Sequence, residues 1–168
     1  SLAHGYIAAK IFEDALDQFV RAEEYVLSGQ KTRGPVVLGN AEEDCHPLGR
    51  KLVSIFLKAG GWAVHDLGID VEAKVFLDEA VRVNAKVIGV SAMTYTTAEN
   101  IISLRREIDS QGYKDRIQLA VGGAVFRLCP ELVDRVGGDG TVPHAIGTPA
   151  LFASLWNRDV QEEKRNYE

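Results

Sequence analysis

His46 stands two residues after Asp44 and three before Gly49, inside the stretch AEEDCHPLGRK that runs from Ala41 to Lys51. An imidazole offers one ring nitrogen to a metal ion. A carboxylate two positions earlier can take the proton on the other nitrogen, fixing the tautomer and raising the ring's basicity. Gly49 permits close approach of backbone to a ligand at the start of the next element. The same residues also allow a plainer reading, in which Asp44 caps a helix and His46 sits on the surface.

Other chemistries fit this stretch poorly. A phosphate-cradling loop needs glycines, free backbone N–H groups and positive charge. Glu42, Glu43 and Asp44 would repel phosphate, and neither GxGxxG nor GxxxxGK[ST] occurs in the chain. A phospho-receiver would end its third strand on aspartate, where this chain has Ser91. Asp44, Cys45 and His46 are contiguous and cannot readily close on one tetrahedral zinc ion. Cys45 has no base beside it other than His46 and reads as a spacer. A metal that arrives inside a cofactor needs only one protein ligand, and His46 is placed for that role.

The elements that must position these residues follow from periodicity. Continuous apolar runs occur at 35–39 (PVVLG), 62–66 (WAVHD), 86–91 (KVIGVS) and 117–123 (IQLAVGG), with a weaker GTVP at 140–143. Such runs suit parallel strands buried on both faces. Amphipathic helices are expected near 48–59, 71–83, 97–110, 126–136 and 147–157. Five βα units in about 120 residues form the doubly wound, flavodoxin-like α/β pattern, a five-stranded parallel sheet whose ligands bind beyond the carboxyl ends of the strands. Ser91-Ala92-Met93 and Gly122-Gly123 fall at those ends, next to the loop of residues 39–49. Paired glycines there leave room against bare backbone. An apolar stripe over 6–28 predicts an N-terminal helix ending at Gly29, so the expected organisation is a helical segment and linker (1–33), the α/β domain (34–160) and a tail (161–168).

Composition narrows the function classes. The chain has 168 residues, is 46% hydrophobic and 26% charged, and carries a net charge of −5. Its charges are interspersed, which argues against a nucleic-acid footprint. No apolar run approaches membrane-spanning length and no signal-peptide pattern opens the sequence, which begins on Ser1. Two cysteines, Cys45 and Cys129, make no disulfide framework, so a cytoplasmic protein is expected. His65 reads as structural, Cys129 as core, and Trp62 and Trp156 as packing anchors.

With these pieces in order, the sequence resembles the cobalamin-binding domain family. That signature is DxHxxG, then SxL, then GG, on a five-stranded doubly wound, Rossmann-like sheet. This chain has DCHPLG at 44–49, SAM at 91–93 and GG at 122–123, and the resemblance covers roughly 34–157. It implies that His46 is the lower axial ligand to cobalt in place of the cofactor's own dimethylbenzimidazole, with Asp44 hydrogen-bonded to it. Glu43, Cys45, Pro47, Leu48 and Gly49 would flank that ligand. Ser91 would meet the displaced benzimidazole, Gly122 and Gly123 would leave it space, and Ala145 would line its pocket. Met93 stands where the family has leucine, a volume-conserving change. Tyr95 stands where a smaller hydroxyl is usual.

The resemblance also implies a function. A domain that supplies one axial ligand leaves the other cobalt face open, as in corrinoid proteins that carry a methyl group between methylcobalamin and cob(I)alamin states. Such a carrier is not a complete enzyme. Its partners would be a methyl-donor methyltransferase, a methyl-acceptor methyltransferase and a reductive activator protein, in an O-demethylase, methanol or methylamine type of system, with a lean to the O-demethylase. The alternatives are the cobalamin subunit of a carbon-skeleton mutase and a cobalamin-sensing regulatory domain. Methyl-transfer members carry a helical bundle ahead of the sheet, of which about one long helix is expected here.

Overall fold

The computed structural model describes residues 33–158, with positions 7, 10, 11 and 14 ahead of them. Apart from these few positions, the helix and linker expected over 1–33 lie outside the described residues, as does the tail expected over 161–168.

Four parallel strands form one sheet in the order β2-β1-β3-β4. They are β1 (Pro35–Asn40), β2 (Ala63–Asp66), β3 (Val87–Ser91) and β4 (Gln118–Gly122). β1 and β3 lie inside the sheet and are buried along nearly their whole length, which is why they read as unbroken apolar runs. Successive side chains point to opposite faces. Val37, Ile88, Val90, Leu119 and Val121 therefore join one core, against α2 (Ala73–Val83) and α4 (Ile101–Ser110). Val36, Leu38, Val87 and Ala120 join the other, against Leu57 of α1 (Leu48–Ala59) and Phe152 and Leu155 of α7 (Thr148–Trp156). Helices thus cover both faces, and each fully buried Leu or Phe contributes about 1.5–3 kcal/mol.

The expected fifth strand is corrected. Among the described residues the GTVP segment makes a single parallel bridge, Gly140 to Ala120, and no strand. Pro143 has no N–H to donate to a ladder, and Gly140 brings no side chain to pack. Two expected helices are each broken. The 97–110 helix starts earlier, as α3 (Tyr95–Glu99), and restarts as α4. Its start is fixed by a capping box in which Thr94 Oγ1 accepts the Thr97 N–H (3.2 Å) and Thr97 Oγ1 accepts the Thr94 N–H (3.1 Å). The 126–136 helix is interrupted by Pro130, giving α5 (Ala124–Leu128) and α6 (Leu132–Arg135).

The packing anchors stand where expected. Trp62 is buried, with its ring 5.4 Å from that of Trp156 and 6.4 Å from that of Phe152. Cys129 is half-buried against the α2–α4 core. His65 ties the edge strand β2 to α2 through Glu79, Nδ1 to Oε1 at 3.0 Å. Two hydrogen bonds from Arg82 hold the Glu79 carboxyl below its ordinary range.

Candidate functional site

Register across the sheet aligns Ser91 and Gly122 with Asn40, four residues ahead of the DCHPLG stretch. Asn40 of β1 pairs with Ser91 of β3, and Ser91 pairs with Gly122 of β4. These residues form one row at the carboxyl edge. The Ala41 N–H donates to the Ser91 carbonyl (2.9 Å), and the Ala92 N–H to the Gly122 carbonyl (2.9 Å), so the row continues into the loops.

Asp44 sits above this row with no exposed surface. Its Oδ1 accepts the His46 backbone N–H at 2.9 Å and lies 3.0 Å from His46 Nδ1. The first bond closes a tight Asx turn, so Asp44 organises the loop and is not a helix cap. Pro47 takes the N-cap place of α1 and supplies no side-chain bond. Asp44 Oδ2 accepts the Met93 backbone N–H and the Thr97 hydroxyl, the latter at 3.4 Å. The carboxylate is acceptor-only, so the ring proton of neutral His46 belongs on Nδ1. That leaves Nε2 with its lone pair, on a side chain 59% exposed.

The rest of the loop is pinned from neighbouring elements. Glu43 has a left-handed backbone (φ 65°) and its N–H donates to Asp70 Oδ1 at 2.8 Å. Asn100 Nδ2 donates to the Glu42 carbonyl at 2.9 Å. Glu43, Cys45 and Gly49 are exposed, while Pro47 and Leu48 are half-buried. The acids at 42 and 43 therefore face solvent, and only Asp44 is turned inwards.

An open cleft of about 350 Å³ descends from the row between α1 and α7. Leu38, Val53, Val142, Leu151 and Phe152 give it apolar walls, and Gly49, Ser91, Gly122, Gly123, His144 and Ala145 line it as well. Gly49 and Ser91 face each other: a Cβ on Gly49 would lie 3.9 Å from Ser91 Oγ. The two adjacent glycines have different tasks. A Cβ on Gly122 would meet nothing within 4 Å. On Gly123, at φ +119°, it would fall 2.0 Å from the Ala92 carbonyl oxygen. Gly122 thus leaves open space at the cleft, whereas Gly123 lets the β3 loop approach bare backbone.

Met93 and Tyr95 are not among the cleft's lining residues. Met93 acts through its backbone N–H, and its side chain is 46% exposed. The Tyr95 ring lies 5.4 Å from the Arg135 guanidinium, which is itself paired with Glu99 (2.6 Å). Three participants escaped the sequence reading as site residues: Asn40, Arg50 and Thr97, all buried. Each is polar and owes its place in the site to partners that only the fold brings to it. Among the described residues, no group of three or more His, Cys, Asp and Glu is placed to hold a metal ion, and no helix is long and apolar enough to cross a membrane.

This arrangement defines a doubly wound α/β domain with one oriented imidazole on a loop whose last residue, Gly49, lines an apolar cleft; His46 itself is not among the lining residues. The chain belongs to the B12-binding domain family, whose sequence profile, described as the B12 binding domain, matches residues 34–147. It is 37% identical over 128 residues to the dimethylamine corrinoid protein of Methanosarcina barkeri, covering 76% of this chain and 59% of that one. Over 138 residues it is 32% identical to trimethylamine corrinoid protein 1 of Methanosarcina acetivorans, covering 82% and 63%. The chain thus spans about three fifths of the length of these curated relatives. The fold is shared with the methanol:cobalamin methyltransferase complex of Methanosarcina barkeri, at a TM-score of 0.71 and 23% identity, over 94% of this chain and 67% of that one.

The cofactor of this domain is cobalamin, with its cobalt, and the residues present suit it. His46 offers a free Nε2 for cobalt, held by a buried carboxylate. The cleft offers apolar walls and an open place at Gly122 for a flat base and its sugar.

Proposed function

We propose that this chain binds cobalamin in the base-off, His-on form and serves as the corrinoid part of a methyl-carrying protein. The Asp44–His46 pair carries this reading: a fully buried acceptor orients an exposed imidazole and leaves one nitrogen for a metal. Cobalamin, when bound, supplies a cobalt centre able to accept and release a methyl group. The chain's own residues do the rest. Asp44 holds the proton on Nδ1 and so makes Nε2 the better donor. Ser91 and Gly122 would receive the cofactor's base, and the apolar walls of the cleft would keep water from it. The segment from Gly140 to Thr148, with Ala145, closes the far side, where the Thr148 hydroxyl donates to the Ala145 carbonyl at 2.6 Å.

With His46 as its one protein ligand, the cofactor would remain open to exchange with separate methyltransferases. The names of the relatives favour a methylamine or methanol type of donor over the methoxy donor of an O-demethylase. The partners in this reading are a donor methyltransferase, an acceptor methyltransferase and a reductive activator. The test is reconstitution with hydroxocobalamin followed by absorption spectroscopy in acid-free buffer. Binding with a spectrum distinct from free cobalamin is expected, and a different bound spectrum in His46→Ala. Identical spectra for the two proteins would overturn the His-on assignment.

A further inference from the structure

We propose that Arg50 is a positioning residue for His46, acting through the side-chain amide of Asn40. The proposal rests on the reading of His46 as the cobalt ligand. Arg50 occupies the first turn of α1, where a cation opposes the helix dipole, and that turn holds no acid. It is also buried, with 7% of its side chain exposed. Both choices cost stability unless specific partners offset them. Arg50 has two: NH1 donates to Asp66 Oδ1 at the end of β2, and Nε donates to Asn40 Oδ1 at 2.7 Å.

The second bond decides which way the Asn40 amide faces. With Oδ1 committed to Arg50, the amino group must point to the loop. There Nδ2 donates to the His46 carbonyl at 3.0 Å and reaches Asp44 Oδ1 at 3.4 Å. The reversed amide would set its oxygen against that carbonyl and that carboxylate, two further acceptors. A guanidinium can bridge two fixed acceptors because its donors form a rigid planar fork. The relay Asp66–Arg50–Asn40 therefore links the end of the edge strand to both residues of the ligand pair. Asp66 is anchored in turn, since its Oδ1 accepts the Gly68 N–H at 3.0 Å while the Gly68 carbonyl accepts the Asn40 N–H at 2.8 Å.

The test uses the cofactor-free protein and amide hydrogen exchange at His46 and Met93, whose N–H groups both donate to Asp44. The Leu119 N–H, bonded to Asp139 Oδ2 at 2.6 Å on β4, serves as the control. Arg50→Met frees the Asn40 amide, and Asn40→Asp mimics its reversed orientation while keeping a partner for Arg50. Both should speed exchange at His46 and Met93 about tenfold, the worth of one lost hydrogen bond, and leave Leu119 unchanged. Unchanged exchange at His46 and Met93 overturns the proposal, as does an equal rise at Leu119, which marks general loosening. If Arg50→Met does not fold, Asp66→Asn replaces it; a local rise of about threefold supports the relay, and none overturns it. Loaded with cob(II)alamin, Arg50→Met should show imidazole-ligated cobalt in a smaller fraction of molecules than the unaltered chain. Should the unaltered chain itself lack imidazole ligation, the functional reading fails while the exchange result on the relay stands.

Discussion

The backbone N–H of Met93 donates to Oδ2 of Asp44, a bond that spans 49 positions of sequence and closes the loop after β3 onto the loop after β1. The same carboxylate holds the His46 ring and its N–H through Oδ1. Asp44 therefore has two functions, orienting a ligand and joining two loops. Asp44→Ala should lower stability by about 2–4 kcal/mol, because it leaves buried donors unpaired. Urea denaturation of the cofactor-free protein measures this. Asp44→Asn keeps the size but adds an N–H₂ facing other donors, and corrinoid affinity should fall ~10–100-fold. Affinity equal to wild type in Asp44→Asn would mean that the carboxylate does not act through His46.

Gly122 and Gly123 should separate binding from folding. Gly123→Ala places a methyl group against the Ala92 carbonyl at a backbone angle that side chains rarely adopt. A loss of about 3 kcal/mol or more in stability is expected. Gly122→Ala meets open space and should leave the melting temperature nearly unchanged while weakening cobalamin binding. Thermal melts and equilibrium dialysis on the pair give the answer; equal effects of both changes on stability would show that the two glycines are not distinct.

Ser91→Leu should fill the cleft mouth opposite Gly49. Overpacking of about 1–3 kcal/mol falls on the bound tail more than on the fold, since the cleft is open without it. Fluorescence titration should show affinity lowered by about tenfold or more, corresponding to at least ~1.4 kcal/mol. Full affinity would remove Ser91 from the tail site.

The sequence carries much of this site because the signals are local. DCHPLG, SAM and GG each lie at the end of a strand whose two buried faces write an unbroken apolar run, and one register brings all three together. α1 begins and ends where its periodicity says. What was illegible depended on partners distant in sequence. Thr97 looked like one threonine among three, although its hydroxyl reaches Asp44 across 53 positions. Arg50 carries no local mark of its role, since only the fold brings Asp66 and Asn40 to it. The GTVP segment passed for a weak strand on Thr141 and Val142, yet Gly140 and Pro143 flank that pair and it forms a single bridge.

A carrier should be inert by itself. Reduced, cobalamin-loaded protein mixed with methylamines, methanol or methoxy-aromatic compounds should transfer no methyl group until a methyltransferase is added. Chromatographic detection of the methylated cofactor measures this, and rapid methylation by the chain alone would contradict the carrier reading.

Ligation of cobalt by His46 Nε2 is read from electron paramagnetic resonance of the cob(II)alamin-loaded protein. A single axial nitrogen splits each cobalt line into a triplet when it is nitrogen-14 and a doublet when it is nitrogen-15. Protein grown with nitrogen-15 histidine and loaded with unlabelled cobalamin should give doublets, and labelled His46→Ala should lose them. Triplets in the labelled wild-type protein would show that the cofactor's own base remains on cobalt, and the role assigned to Asp44 and His46 would be wrong.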